Sequence, residues 1–393
     1  MTTNVDPDSL IWLDGRNYGR KGGTGVATYA TALADALVAM NMPPSILLEQ
    51  EEPARSSGRT TPLPLLRALH ARPTVRRLGP TSLLSRDLYR SAHVHFGLRR
   101  RFMPLRTPHP PRMIHWTYPL PLHLEGALNI TTIHDLIPLT HPHLTGIDSK
   151  RFRRLINEAV TRADAIITVS ETVRRQIIER LGTSPDKITN LSQPVEFSTD
   201  QLTQIAGVPP IAADGAFIFV GRIEARKNID RLLKAHARSR TRTPLILIGP
   251  DGDDAPDLSS RAPTSTVIRI PWIDRIGLLR TLMGAKALLF PSLAEGFGLP
   301  ILEAMALGTP VMTSRGGATE EIGGDAALLV DPYDIDAMAD AIARLDTPTK
   351  DGGLPRSLIA KGHARRRAFS RENFRNALGT FYRQIGFDRD AGQ

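Results

Sequence analysis

A short apolar run, Ala287-Leu288-Leu289-Phe290, is halted by Pro291, and nine residues later Pro300 stands where a helix begins. Proline suits the first turn of a helix, where its missing N–H leaves no bond unmade, so residues 301–307 are predicted to form a short helix. Gly308 ends it, Pro310 follows, and a second apolar run starts at Val311-Met312-Thr313. Strand, glycine loop, helix and strand in this order make the repeating unit of a parallel sheet, because parallel neighbours need a crossover of about a helix's length. Its recurrence on both halves of the chain sets the fold class as α/β.

In the first half, Ile11-Trp12-Leu13-Asp14, residues 45–49, Met113-Ile114-His115, residues 130–133 and residues 165–169 read as strands, with Lys187-Ile188-Thr189 closing the sheet. Apolar residues recur at helical spacing at Tyr29, Leu33, Ala36, Leu37 and Met40, and residues 150–162 read as a helix. Ser170 is placed as the cap of a helix over residues 171–181, with Gly182 as its stop. Residues 64–71 and 83–89 also read as helical pieces. From Gln193 to Ala213 the pattern turns polar and irregular, so the link between domains is placed there. Beyond it, residues 217–220, 245–248, 267–270 and 326–330 are predicted strands, and the segments after Asn228, from Ile276 and from Ile335 are predicted helices. An amphipathic stretch over residues 371–385 completes the pattern. The expected units are residues 1–195, residues 196–370 and a terminal helix within 371–393.

Composition closes off several functions. A chain of 393 residues has room for two or three domains, and the absence of cysteine rules out disulfides, thiolate metal sites and a cysteine nucleophile. The first residues are polar, unlike a secretory signal, and no apolar run reaches the ~18 residues that span a bilayer. A cytoplasmic protein is expected. The net charge of +10 is uneven: from Arg55 to Arg112 there are 13 arginines, no lysine and one acid, Asp87. With Leu65, Leu69, Leu83, Leu88, Phe96 and Phe102 interleaved, this segment suits an anionic membrane surface first. A plain solvated surface comes next and a nucleic-acid backbone last, so no nucleic-acid partner is expected.

The glycine loop carries chemistry as well as geometry. A helix leaves its first backbone N–H groups unpaired, so the amides of Phe297, Gly298 and Leu299 suit a diphosphate. Glu295 lies in the loop and Glu303 within the helix, and both accept hydrogen bonds from hydroxyls, as ribose and hexose binding needs. Taken alone, Glu295 reads equally as a solvated carboxylate, and Glu303 as one that merely favours the positive helix end. Gly221 follows a strand and permits close approach. Arg222 and Lys227 after it either stabilise charge on a leaving phosphate or lie on the surface. Gly22, Gly23 and Gly25 form another glycine loop, without the third glycine of a dinucleotide fingerprint. His134-Asp135 directly follows a strand, at the edge where open α/β sheets bind ligands.

Together these residues resemble family 4 glycosyltransferases (group 1), retaining enzymes of the GT-B fold. The resemblance rests most on Val220-Gly221-Arg222 through Lys227-Asn228 and on the unit from Glu295 to Glu303. The loop from Gly23 to Tyr29, the segment Thr132-Ile133-His134-Asp135-Leu136-Ile137-Pro138 and residues 163–170 add to it, and it covers roughly residues 14–345. One departure stands out. Ser192-Gln193-Pro194-Val195 occupies the place where relatives often carry Pro-Asn-Gly, which blurs the domain boundary.

The resemblance implies two Rossmann-like domains facing across a cleft, the acceptor in the first and the nucleotide sugar in the second, with the last helix crossing back. It implies that Arg222 and Lys227 hold the donor diphosphate beside Gly221, and that Glu303 binds the ribose. Glu295, with Gly296, Phe297, Gly298 and Leu299, would hold the transferring sugar. Amides near Gly25 would cap the diphosphate, and His134 would reach the sugar and reacting centre. The expected reaction moves a hexose, mannose from GDP-mannose before glucose from UDP-glucose, to an acceptor hydroxyl with retention. A lipid-linked glycan in polysaccharide assembly is the expected acceptor. No metal or other cofactor is expected, since cations do that work, and Asp251–Asp253 and Asp334–Asp336 read as turn residues and a helix cap. A GT-B sugar-nucleotide epimerase and a non-catalytic sugar-nucleotide-binding subunit are the rival readings.

Overall fold

A computed structural model describes residues 10–19, 25–50, 73–211, 214–252, 266–346 and 353–387. The loop at residues 20–24, the piece at residues 64–71 and Asp253 lie outside the described residues. The described residues build two large, mainly parallel sheets and one two-stranded sheet. The first uses β1 (Ile11–Asp14), β2 (Ser45–Gln50), β3 (Arg76–Arg77), β4 (Ser82–Arg86), β6 (Met113–Trp116), β8 (Leu128–Ile133), β9 (Ala165–Thr168) and β10 (Ile188–Asn190), while β5 (Met103–Leu105) and β7 (Leu122–Leu124) pair apart from it. Its order is β10-β9-β8-β6-β1-β2-β4-β3, parallel except for β3. The second uses β11 (Phe217–Val220), β12 (Leu245–Ile248), β13 (Val267–Ile270), β14 (Ala287–Phe290), β15 (Val311–Ser314) and β16 (Leu328–Val330), in the order β13-β12-β11-β14-β15-β16.

The short unbroken apolar runs are buried on both faces, because helices cover each side of a parallel sheet. Register matters for function. Leu13 pairs with His115 and His115 with Ile130, so Asp14, Thr117 and His134 emerge together at the carboxyl edge. In the second sheet Val220 pairs with Ile248, and the turns at Gly221 and Gly249 leave side by side. Ligand crevices of open α/β sheets lie at this edge.

Two sequence expectations are corrected. Residues 83–89 are not one helix: Ser82–Arg86 is a strand parallel to β2, and a separate helix, Leu88–Arg99, follows. Ser82, Leu83, Leu84 and Ser85 find partners in β2, and that pairing overrides a helix-like local pattern. The polar link also contains a helix, Thr199–Gly207. Ser198 accepts from the Gln201 N–H while the Gln201 side chain accepts from the Ser198 N–H, a reciprocal capping box.

The last helix, Arg371–Gln384, returns to the first domain. Its Tyr382 hydroxyl sits 2.9 Å from Nε2 of buried His115, and the Arg112 guanidinium lies 4.9 Å from the Phe387 ring centre. A second strap runs alongside, where the Val195 N–H donates to the Phe369 carbonyl at 2.9 Å. No described helix is long and apolar enough to cross a membrane.

Candidate active site

The second-domain wall begins with crowding. A side chain on Gly249 would place its Cβ 2.2 Å from the Gly221 carbonyl oxygen, and both residues adopt positive φ, 142° and 152°. Glycine at both positions lets the segment after β11 fold across the edge of the sheet. One turn of 3-10 helix, Ala225–Lys227, then ends at Asn228 in the left-handed region (φ 61°). The Asn228 amide donates to the carbonyls of Pro291 at 3.1 Å and Pro332 at 2.7 Å, which pins this loop over the end of β14. Lys227 is thereby aimed inward and is only 6% exposed.

Charge concentrates on Glu295. Its Oε1 lies 2.5 Å from Lys227 Nζ and its Oε2 lies 2.8 Å from Arg226 Nη1. Arg226 also reaches Glu224 Oε2 at 2.6 Å. Burial alone would push Glu295 up, but Lys227 and Arg226 outweigh it and hold the carboxyl below its usual range. Burial pushes Lys227 down, against the pull of Glu295, and its ammonium rests 4.6 Å from the Phe290 ring centre. Burial also works against Arg226, yet Glu295 and Glu224 more than offset it. The site is a buried, ionised cluster in which each charge depends on its neighbours.

Arg222 stands apart from this cluster. Its side chain is about half exposed, donating to the Asp251 carbonyl at 3.3 Å and lying 3.5 Å from Glu224. Glu303 is buried at 2% exposure within the Leu299–Ala306 helix, where Arg275 Nη2 meets its Oε1 at 2.5 Å. Gly298 caps that helix in the left-handed region, φ 111°, so the amide of Leu299 opens its N-terminus. Phe297 is buried and packs edge-on to Phe369, with centres 6.1 Å apart. Asp334 caps the Ile335–Leu345 helix, and Asp251 pairs with Arg269 at 2.9 Å.

The first domain supplies the facing wall. Buried Asp14 accepts from the Thr117 N–H, and the Thr117 carbonyl accepts from His134 Nε2 at 2.8 Å. Burial drops the His134 pKa to about 4, despite its bond to Thr117, so at neutral pH Nδ1 carries the lone pair. Tyr29 packs edge-on to the His134 ring at 5.0 Å, and the Tyr29 hydroxyl bonds Thr132 Oγ1 at 2.9 Å. Burial raises Asp14 to about 6, opposed mainly by the Thr117 hydrogen bond. Gly25 opens the Gly25–Ala39 helix beside this edge. The two walls touch at Gly296, where a Cβ would stand 1.9 Å from the His134 carbonyl oxygen.

Comparison with known proteins accounts for this architecture. Residues 23–197 match the model for Glycosyltransferase Family 4, and residues 214–347 match Glycosyl transferases group 1. The chain is 33% identical over 270 residues to the O-antigen chain mannosyltransferase B of Escherichia coli, covering 65% of this chain and 69% of that one. The chain belongs to glycosyltransferase family 4. A D-inositol 3-phosphate glycosyltransferase of Acidothermus cellulolyticus is 30% identical over 268 residues, 61% of this chain and 59% of its own. Sucrose-phosphate synthase of Thermosynechococcus elongatus superposes with a TM-score of 0.65 at 20% identity, over 96% of this chain and 98% of that one. The fold is GT-B, and the chain is a glycosyltransferase.

In this glycosyltransferase the sequence-selected residues fall into three groups. Lys227, Glu295 and Gly296 meet directly, with His134 pressed against the same glycine. Glu303 and Leu299 lie on the adjoining helix, while Arg222 projects from the rim. Sequence reading passed over Arg226, Arg275 and Asp14. Arg226 and Arg275 look like surface cations in a basic chain, and only folding brings their carboxylates within 3 Å. Asp14 ends a predicted strand at the carboxyl edge, and that position was its one available signal. The arginine-rich segment is not uniformly a free cationic strip, since Arg106 pairs with Glu125 at 2.6 Å and Arg112 packs on Phe387.

Proposed function

We propose that this glycosyltransferase moves mannose from GDP-mannose to a hydroxyl of a lipid-linked glycan acceptor, with retention at the anomeric carbon. The observation that carries the donor reading is Glu295 held ionised between Lys227 and Arg226, under the glycine turns at Gly221 and Gly296. Mannose is favoured because relatives include the O-antigen chain mannosyltransferases B and RfbU.

In this reading the bond between the anomeric carbon and the diphosphate oxygen breaks, leaving an oxocarbenium-like sugar. The acceptor hydroxyl bonds to the same face, and its proton passes to the departing phosphate oxygen. Arg222, Lys227 and the Leu299 amide stabilise the charge that grows on that oxygen. Glu295 takes sugar hydroxyls while orienting Lys227, and Glu303 takes the ribose hydroxyls. His134 is neutral, so its Nδ1 accepts from a sugar hydroxyl and carries no fixed charge toward the reacting centre. Closure of the two walls at Gly296 excludes water and limits hydrolysis. Protein cations supply the positive charge, so a chelator is expected to leave turnover unchanged. Loss of turnover with EDTA, restored by Mg²⁺, would contradict this.

Thermal-shift titration tests the donor choice: GDP is expected to stabilise the enzyme more than UDP at equal concentration, and the reverse order overturns it. The first domain is also read as the membrane-facing half. Arg76, Arg77, Arg99, Arg100 and Arg101 are exposed there, as are Leu78 (65%) and Leu98 (47%). Anionic vesicles are expected to pull the enzyme down at low salt and release it at high salt. No sedimentation at low salt sinks that part.

A further inference from the structure

Outside the donor cluster, Glu321 joins the domains through a carboxylate that accepts three hydrogen bonds. Glu321, in the second-domain helix Gly317–Gly323, reaches the first-domain helix Glu171–Leu181. Its Oε1 accepts from the Glu171 N–H at 2.7 Å; its Oε2 accepts from the Thr172 N–H and the Thr172 hydroxyl, each at 2.7 Å. The opening amides of a helix have no partner within it and carry the positive end of its dipole. Here a residue some 150 positions away in sequence satisfies them.

The cap of the same helix faces the donor loop. The buried Ser170 hydroxyl accepts from the Val173 N–H at 3.2 Å and donates to the Gly296 carbonyl at 2.7 Å. Glu321 is itself held from behind, with Arg365 Nη2 donating to its backbone carbonyl at 2.5 Å. Arg365 lies over Phe369, whose ring meets Phe297 of the donor loop. One helix N-terminus thus grips the second domain at Glu321 and at Gly296, which stands against His134.

We infer that Glu321 is a positioning residue for transfer: with Thr172 and Ser170 it latches the domains shut and sets the Gly296 loop against His134. In an open molecule its carboxylate and the helix amides return to water, so the latch weights the balance between open and closed arrangements without touching substrate. This rests on the donor reading above for its link to turnover, and on the contacts alone for its link to closure.

The chain has no cysteine, so Glu179→Cys in the first domain and Lys234→Cys in the second, both exposed, accept a dye pair cleanly. Glu321→Ala is expected to lower the high-transfer (closed) population measured without ligand. It should reduce turnover of GDP-mannose by roughly 10- to 100-fold, as expected for charge-assisted bonds, while GDP affinity stays within about twofold. Thr172→Val, which alters only the first-domain side, should move both readouts the same way and less, and adding it to Glu321→Ala should cost little more. Thr172→Val carries the test alone if Glu321→Ala does not fold. An unchanged dye distance overturns the latch. An altered distance with unchanged turnover removes its role in transfer. A matching loss of GDP affinity shows donor-site damage and overturns the positioning role. Wild-type closure with no use of either GDP-mannose or UDP-glucose would count against the donor reading and leave the latch standing.

Discussion

Asp14 shows how a single residue can cost stability for the sake of its position. Burial raises its pKa from 3.8 to about 6, so at neutral pH the fold holds a carboxylate that its surroundings disfavour. Between those values the folded chain binds more protons than the unfolded one, and stability therefore rises as pH falls from about 7 toward 4. A shift of this size corresponds to about 3 kcal/mol. Asp14→Asn is expected to remove that slope, which urea unfolding followed between pH 4 and 7 will show; parallel curves for the two proteins would contradict it. His134 behaves in the opposite sense, with its folded pKa near 4, below the unfolded 6.5. The stability it contributes is lost as pH falls through that window, so the comparison must be made against Asp14→Asn and not against absolute stability. For Glu303, the proposed ribose role predicts that alanine weakens GDP binding by about tenfold or more and leaves Arg275 unpaired. Calorimetry with GDP and 2′,3′-dideoxy GDP separates the two effects: only the ribose role predicts a smaller loss for the dideoxy form.

At the scale of elements, the strand, glycine-loop and helix units were legible wherever period and punctuation agreed. Ala287–Phe290, Gly298 and Pro300 read correctly because a buried run, a left-handed turn and a helix start each have a local cause. Ser82–Arg86 was misread because its strand character comes from β2, more than thirty residues earlier in the chain. The Thr199–Gly207 helix was missed although Ser198 and Gln201 spell out a capping box, a signal masked by the polar, proline-flanked stretch around it. Glu321 had no signature, since both residues that donate to its carboxylate, Glu171 and Thr172, lie on another domain. The glycine turn at residue 296 allows a decisive substitution. Gly296→Ala puts a methyl 1.9 Å from the His134 carbonyl, so the walls must part. Overpacking of this kind costs about 1–3 kcal/mol. The expected outcome is a sharp fall in turnover, measured at saturating GDP-mannose, with each domain still folded by circular dichroism. Wild-type turnover would mean that the observed closure is not the working arrangement.

Taken whole, the molecule is two parallel sheets whose carboxyl edges face each other, joined by the Val195–Phe369 strap, the Tyr382–His115 contact and the Glu321 latch. The crossing helix holds one of these interdomain contacts as well as part of the core. Tyr382→Phe leaves a buried imidazole nitrogen without its partner, and a loss of about 1–3 kcal/mol in urea unfolding is expected. These restraints bring the first domain's neutral His134 to a second-domain wall that carries Arg222, Arg226 and Lys227, paired with Glu224 and Glu295. In the proposed reaction the charge of these cations stabilises a departing diphosphate, and Lys227 is its most buried bearer. The decisive measurement is turnover of GDP-mannose by Lys227→Ala at saturating donor. A fall of about 10²- to 10³-fold is expected, the size seen when one preorganised donor to a developing charge is removed. Turnover equal to that of the unaltered enzyme would contradict it.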